Sequence, residues 1–135
     1  MAKRWIFTYR FCNDLGAMKR FYGGVLQLDQ IWEDESSIAY KIGDHQLSFT
    51  LDASLPKAEA EYAFQPGWQE GKAHTTSWSM ACDKQDFLEI VEAANQQGLK
   101  SYFGAPRWVG YWSFPLLDPM NATVEITCEE QDLGL

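Results

Sequence analysis

Arg107–Cys128, RWVGYWSFPLLDPMNATVEITC, is the stretch on which the reading of the fold turns. It reads as two strands joined by a tight turn. Trp112, Phe114 and Leu116 alternate along the first strand. Along the second, Thr123, Glu125 and Thr127 alternate with Val124, Ile126 and Cys128, the two-residue period of a pleated strand. Between them Asp118-Pro119-Met120-Asn121 supplies turn chemistry, since proline fixes φ and asparagine tolerates the left-handed conformation a reversal needs. One carboxylate, Glu125, falls mid-strand with an aromatic strand beside it. An unpaired charge is costly in a packed core, so Glu125 is expected to face a cavity.

Working back from this hairpin, Ser101–Gly104 reads as a short strand. Asp83 is placed to cap a helix that runs to about Gln97, with Phe87, Leu88, Ile90, Val91 and Ala94 apolar and Gly98 as its C-terminal stop. Thr75–Cys82 alternates as a strand before it. The first half of the chain repeats the pattern. Trp5–Cys12 reads as a strand, and Asn13 or Asp14 caps a helix from Leu15 to about Leu26 in which Gly23-Gly24 permits close packing. Strands follow at 28–33, 37–42 and 46–51, with Gly43-Asp44 turning the last pair. Each half is thus β-α-β-β-β, an internal repeat. The expected organisation is one domain spanning 1–135, with modules at about 5–51 and 75–127. They are joined by an irregular arm at 53–73, rich in Pro, Gly and aromatic residues.

Composition narrows the function. Nineteen acidic residues against eleven basic give a net charge of −8, and no basic patch extends beyond Lys3-Arg4 and Lys19-Arg20. This argues against nucleic acid as a partner and mildly favours a cationic one. Aromatic residues make up 15% of the chain, more than a core of this size needs, so some are expected to line a pocket or a subunit interface. Cys12, Cys82 and Cys128 are single and widely spaced, which suits reduced thiols in a reducing compartment. The start MAKRWIFTYRF lacks the apolar region of a signal peptide, and no run reaches the roughly 20 apolar residues of a membrane span. A cytoplasmic location is expected, with no membrane association.

Asn13-Asp14-Leu15, Phe21-Tyr22 with Val25-Leu26, and Asp118-Pro119 leading to Val124-Glu125-Ile126 stand in this order over nearly the whole chain. In this the sequence resembles the vicinal oxygen chelate superfamily, which includes glyoxalase I, extradiol dioxygenases, and fosfomycin- and bleomycin-resistance proteins. The resemblance implies an α+β fold in which two βαβββ modules form an open, cup-shaped, eight-stranded sheet. It also implies a small ligand in the cup, usually with a divalent metal, and usually a homodimer. Metal-binding members place His, Glu or Gln on the first and last strands of each module. At those positions this sequence has Phe7, Ser48, Ser77 and Glu125, and only Glu125 is a ligand-type residue. No cofactor is therefore expected. A divalent metal, if one binds, would need Glu125 with His74. His45 and His74 otherwise read as turn or edge histidines.

The candidate ligand-binding set is Phe7, Tyr9, Phe11, Ser48, Ser77, Tyr111, Trp112, Phe114 and Glu125, an aromatic cup with one carboxylate suited to cations and flat heteroaromatics. Three functions compete. The first is a metal-independent protein of the bleomycin-resistance type that holds a small molecule. The second is a metal-dependent lyase or dioxygenase of the same superfamily. The third is a metal-free enzyme with Glu125 as catalytic general base and Tyr9 as donor. Nucleophilic catalysis finds no support, because Ser48, Ser77 and Ser79 lack a histidine at predictable reach. Glu125 also admits a purely structural role, as acceptor of a hydrogen bond from Tyr or Trp.

Overall fold

The computed structural model describes residues 2–58, 76–99 and 101–134. Of the arm at 53–73 only 53–58 are among them, and His74 lies outside them. The chain divides into two compact units, Met1–Lys57 and Ala58–Leu135.

The first unit runs β1 (Phe7–Cys12), α1 (Leu15–Met18), a π-helical segment (Lys19–Val25), β2 (Asp29–Glu33), β3 (Ser37–Ile42) and β4 (His45–Leu51). Its sheet has the order β1-β4-β3-β2, with β1 parallel to β4 and the other neighbours antiparallel. The second unit repeats this path with β5 (Ser77–Ala81), α2 (Lys84–Gln96), β6 (Arg107–Trp108), β7 (Trp112–Leu117) and β8 (Thr123–Cys128). Its sheet order is β5-β8-β7-β6, again with the first strand parallel to the last. The fold is α+β, two βαβββ modules, each with its own four-stranded open sheet.

Local chemistry sets the element ends. Asp14 and Asp83 cap their helices, accepting from the Ala17 amide at 3.0 Å and the Asp86 amide at 2.9 Å. Gly98 leaves α2 at φ 68°, where only glycine is unstrained, and the Leu99 amide closes on the Ala94 carbonyl at 3.0 Å. The Asp118–Asn121 turn forms as expected. The Asp118 carboxylate accepts from the Met120 and Ala122 amides, and Asn121 takes φ 63°. Helix α2 buries Phe87, Ile90, Val91 and Ala94 on one face. Burial of side chains as large as Phe87 and Ile90 contributes about 1.5–3 kcal/mol each.

Two expectations need correction. The first helix is α-helical only to Met18, and Lys19–Val25 is π-helical, with the Leu26 amide donating to the Phe21 carbonyl five residues back at 2.9 Å. A Cβ at Gly23 would stand 3.3 Å from Tyr40 Oη, so the wider π turn lies against β3 where glycine leaves room. The second correction concerns Ser101–Gly104. Ser101 makes one isolated bridge to Leu116, and Gly104 sits at φ 76°. The strand pairing with β7 is Arg107–Trp108, so the stretch Arg107–Cys128 holds three strands rather than two.

The core of the first unit is aromatic. The Tyr22 and Phe49 rings are 4.7 Å apart, and the Arg10 guanidinium lies over Phe49 and donates to Tyr22 Oη at 3.3 Å. Cys12 and Cys128 are buried and Cys82 is half-buried, and no disulfide joins any of the three. Among the described residues no helix is long and apolar enough to cross a membrane.

Candidate functional site

Strand register places every candidate side chain, because paired residues share a face and neighbours along a strand do not. In the second unit Glu125 pairs with Ser79 on β5 and with Pro115 on β7. Ser77 pairs with Thr123, and Ser113 with Thr127, on the same face. Glu125 is 4% exposed and accepts three hydrogen bonds. Ser79 Oγ donates to Oε1 at 2.5 Å, Ser113 Oγ to Oε2 at 2.5 Å, and Tyr111 Oη to Oε2 at 3.3 Å. The mid-strand carboxylate is therefore held by hydroxyls, which removes the cost an unpaired charge would carry there. Burial, and then the charge of Glu125, raise the Tyr111 phenol above its ordinary range and keep its proton on.

Trp112 and Phe114 stand on the opposite face. Trp112 pairs with Cys128 and Phe114 with Ile126, one step out of phase with Glu125. Phe114 is 1% exposed and belongs to the core, while the Trp112 indole donates to the Gln131 carbonyl at 3.0 Å. The structure thus gathers Ser77, Tyr111 and Glu125 on one face and leaves Trp112 and Phe114 behind it. Ser113 was missed by sequence reasoning. Counting outward from the Asp118–Asn121 turn would have found it, since the Asp118 amide donates to the Ala122 carbonyl and so fixes the β7–β8 register.

The first unit carries the other candidates. Phe7, Tyr9 and Phe11 share the face of Gln46, Ser48 and Thr50, and all three aromatics are exposed, Tyr9 at 73%. The Phe7 and Tyr9 rings lie 5.9 Å apart. Ser48 accepts from Gln46 Nε2 at 3.0 Å. Trp32, also unforeseen, pairs with Ala39 on this face and donates from its indole to Ser37 Oγ at 3.0 Å. Laying Phe7 on Ser77 carries Tyr9 onto Ser79 and Ser48 onto Glu125, so the two faces are equivalent places of one repeat.

The donors at these positions do not suit a divalent ion. Phe7 offers none, Ser48 and Ser77 offer neutral hydroxyls, and both Glu125 oxygens already accept protons from neighbours. Both ring nitrogens of His45 are engaged. Nδ1 donates to the Trp5 carbonyl at 2.8 Å, and Nε2 accepts from Thr8 Oγ1 at 2.7 Å. Among the described residues no three His, Cys, Asp or Glu side chains converge as a metal site would require.

A repeated βαβββ module with parallel first and last strands defines a class of proteins built on paired modules. Within that class the chain belongs to the glyoxalase/bleomycin resistance protein/dioxygenase superfamily, whose family model matches residues 6–126. Solved structures with the same fold include a glyoxalase/dioxygenase from Nostoc punctiforme, 15% identical with a TM-score of 0.74, covering 96% of this chain and 92% of that one. A lactoylglutathione lyase from Agrobacterium tumefaciens is 20% identical, with a TM-score of 0.62 and 94% of each chain covered. The fosfomycin resistance protein FosX from Mesorhizobium loti is 17% identical, with a TM-score of 0.64, covering 97% of this chain and 95% of that one. No curated protein matches the sequence.

Proposed function

We propose that this protein binds a small molecule with a cationic or aromatic group on the Glu125 face of its second module, without a catalytic metal, in the manner of the bleomycin-resistance members of its superfamily. The observation that carries this reading is the hydrogen bonding of Glu125. Its negative charge is kept in place by Ser79, Ser113 and Tyr111, and no second ligand-type residue stands at the family's metal positions. A general base needs a free lone pair in line with the proton it takes. Here three hydroxyl protons already take three of the about four lone-pair sites of the carboxylate, which favours binding over proton abstraction or metal-assisted lyase and dioxygenase chemistry. The net charge of −8 adds a field that attracts cations.

The proposed assembly is a homodimer, supported by the exposed aromatics on the edge strand β1, which leave apolar surface for a second copy to cover. The three cysteines, none in a disulfide, suit a reducing cytoplasm. The deciding experiment is calorimetric titration with benzamidinium before and after exhaustive chelation, with elemental analysis of the purified protein. Unchanged binding and no stoichiometric metal are expected. About one metal ion per chain, lost on Glu125→Ala together with binding, would restore the metalloenzyme reading.

A further inference from the structure

Resting on the reading of the Glu125 face as a binding surface, we propose that the Ser79–Tyr111 pair over Glu125 accepts only hydrogen-bond donors. The ligand group that docks there is then an ammonium, amidinium or guanidinium, and carboxylates, phosphonates and other acceptor anions are turned away.

The polarity of this pair follows from counting protons. A serine or tyrosine hydroxyl has one proton to donate and lone pairs to accept with. Ser79 gives its proton to Glu125 Oε1, and Ser113 and Tyr111 give theirs to Oε2. Ser113 is fully buried and does not meet a ligand. Ser79 and Tyr111 do reach the surface, and what they present outward is lone pairs alone. Turning Ser79 to donate outward would strip a buried carboxylate of one of its donors, and burial strengthens that bond against such a change. Tyr111 Oη likewise directs its proton at Glu125 Oε2, and burial keeps that proton on.

The charge behind these hydroxyls acts in the same sense. A cation held by Ser79 and Tyr111 sits one hydroxyl away from the Glu125 carboxylate and is attracted to it, while an anion there is repelled. Arg107 is the cation on the neighbouring strand, paired with Ser113, but its guanidinium is drawn over the Phe103 ring, 4.7 Å from the centroid. Ser77, exposed on the same face, is a rotor that can serve either polarity and so does not oppose the selection.

Benzamidinium and benzoate test this directly, because they share a planar shape and differ in hydrogen-bond polarity. By calorimetry the unaltered protein should bind benzamidinium at least tenfold more tightly than benzoate. In Glu125→Gln the amide nitrogen must face one of the hydroxyls as a donor, which frees that hydroxyl's proton to point outward. The preference should then shrink at least fivefold, with benzoate gaining. Ser79→Ala should weaken benzamidinium at least threefold and leave benzoate unmoved. Near-UV circular dichroism on both variants checks that they fold. If Glu125→Gln does not fold, the wild-type ratio and Ser79→Ala decide alone. Benzoate binding as tightly as benzamidinium would overturn the donor rule and leave small-molecule binding standing. Failure of both probes to bind at millimolar concentration would overturn the binding reading itself.

Discussion

Ser48 on β4 and Glu125 on β8 stand at the same point of the same path, each on the last strand of its module and beside the first. Around Ser48 the open face is aromatic, with Phe7, Tyr9, Phe11 and Trp32 exposed and the hydroxyl accepting from Gln46. Around Glu125 it is hydroxylic, with Ser77, Ser79, Ser113, Thr123 and Thr127 on the sheet and Tyr111 at its margin. Their helices differ as well. The first module has one α-helical turn and a π segment, and the second has thirteen α-helical residues. Strand order survives these differences because it depends on alternation and turns. The chemistry of the face depends on single residues and has diverged.

The largest expected effect contrasts the two central residues. Glu125→Ala leaves the buried Ser113 hydroxyl without its acceptor and should lower stability by up to about 3 kcal/mol. Ser48→Ala should change it by less than about 0.5 kcal/mol. Urea unfolding followed by circular dichroism measures both, and equal costs would erase the distinction between the faces.

The helices provide the next contrast. Gly23→Ala drives a methyl to 3.3 Å from Tyr40 Oη and should cost about 1–2 kcal/mol. In a Tyr40→Phe background part of that cost should disappear, a coupling of at least about 0.5 kcal/mol in a double-mutant cycle. Additive effects would show that the π turn is not held by this contact. In the second module an added Cβ at Gly98 meets nothing, so Gly98→Ala should cost about 1 kcal/mol from its φ of 68° alone. No partner substitution should relieve it.

The smallest effect at neutral pH belongs to Tyr40, whose buried hydroxyl has no hydrogen-bond partner among the described residues. Burial, and then the charge of Glu33, push its phenol from 10.0 up to about 12. The unfolded chain releases this proton first, so the contribution is fully present below pH 10 and is lost as pH rises toward 12. Tyr40→Phe should be nearly neutral at pH 7 and should flatten the fall in stability between pH 10 and 12. An unchanged slope would remove Tyr40 from the alkaline transition.

Much of this architecture was legible in the residues. Alternation located seven of the eight strands among the described residues to within two residues at either end, because half-buried strands must segregate apolar from polar side chains. Asp14, Asp83, Gly98 and Asn121 sit where capping and turn chemistry place them. The two-residue β6 was not legible, since two residues cannot display a period and its pairing is imposed by β7. The π segment was hidden too, because α and π turns bury the same apolar residues and differ only in which carbonyl each amide meets. At the site, Glu125 drew notice as a charge in a strand. Its keepers Ser113 and Ser79 look like ordinary small polar residues until register sets them beside it.

The parallel pairing of first and last strands carries a consequence for synthesis. Tyr9 is hydrogen-bonded into place beside Ser48, and Ser79 beside Glu125, so each module's opening strand lacks its neighbour until its closing strand has been made. As the chain leaves the ribosome, β1 must wait for 45–51, and β5 for 123–128. Closing a loop of that length is an entropic cost met before either parallel ladder forms. The first module can complete itself while the second is still being translated. The second cannot close until 123–128 have been made. A nascent chain stalled before Thr123 would therefore present β5 as an open edge, the state in which this protein is most exposed to mispairing with its own copies.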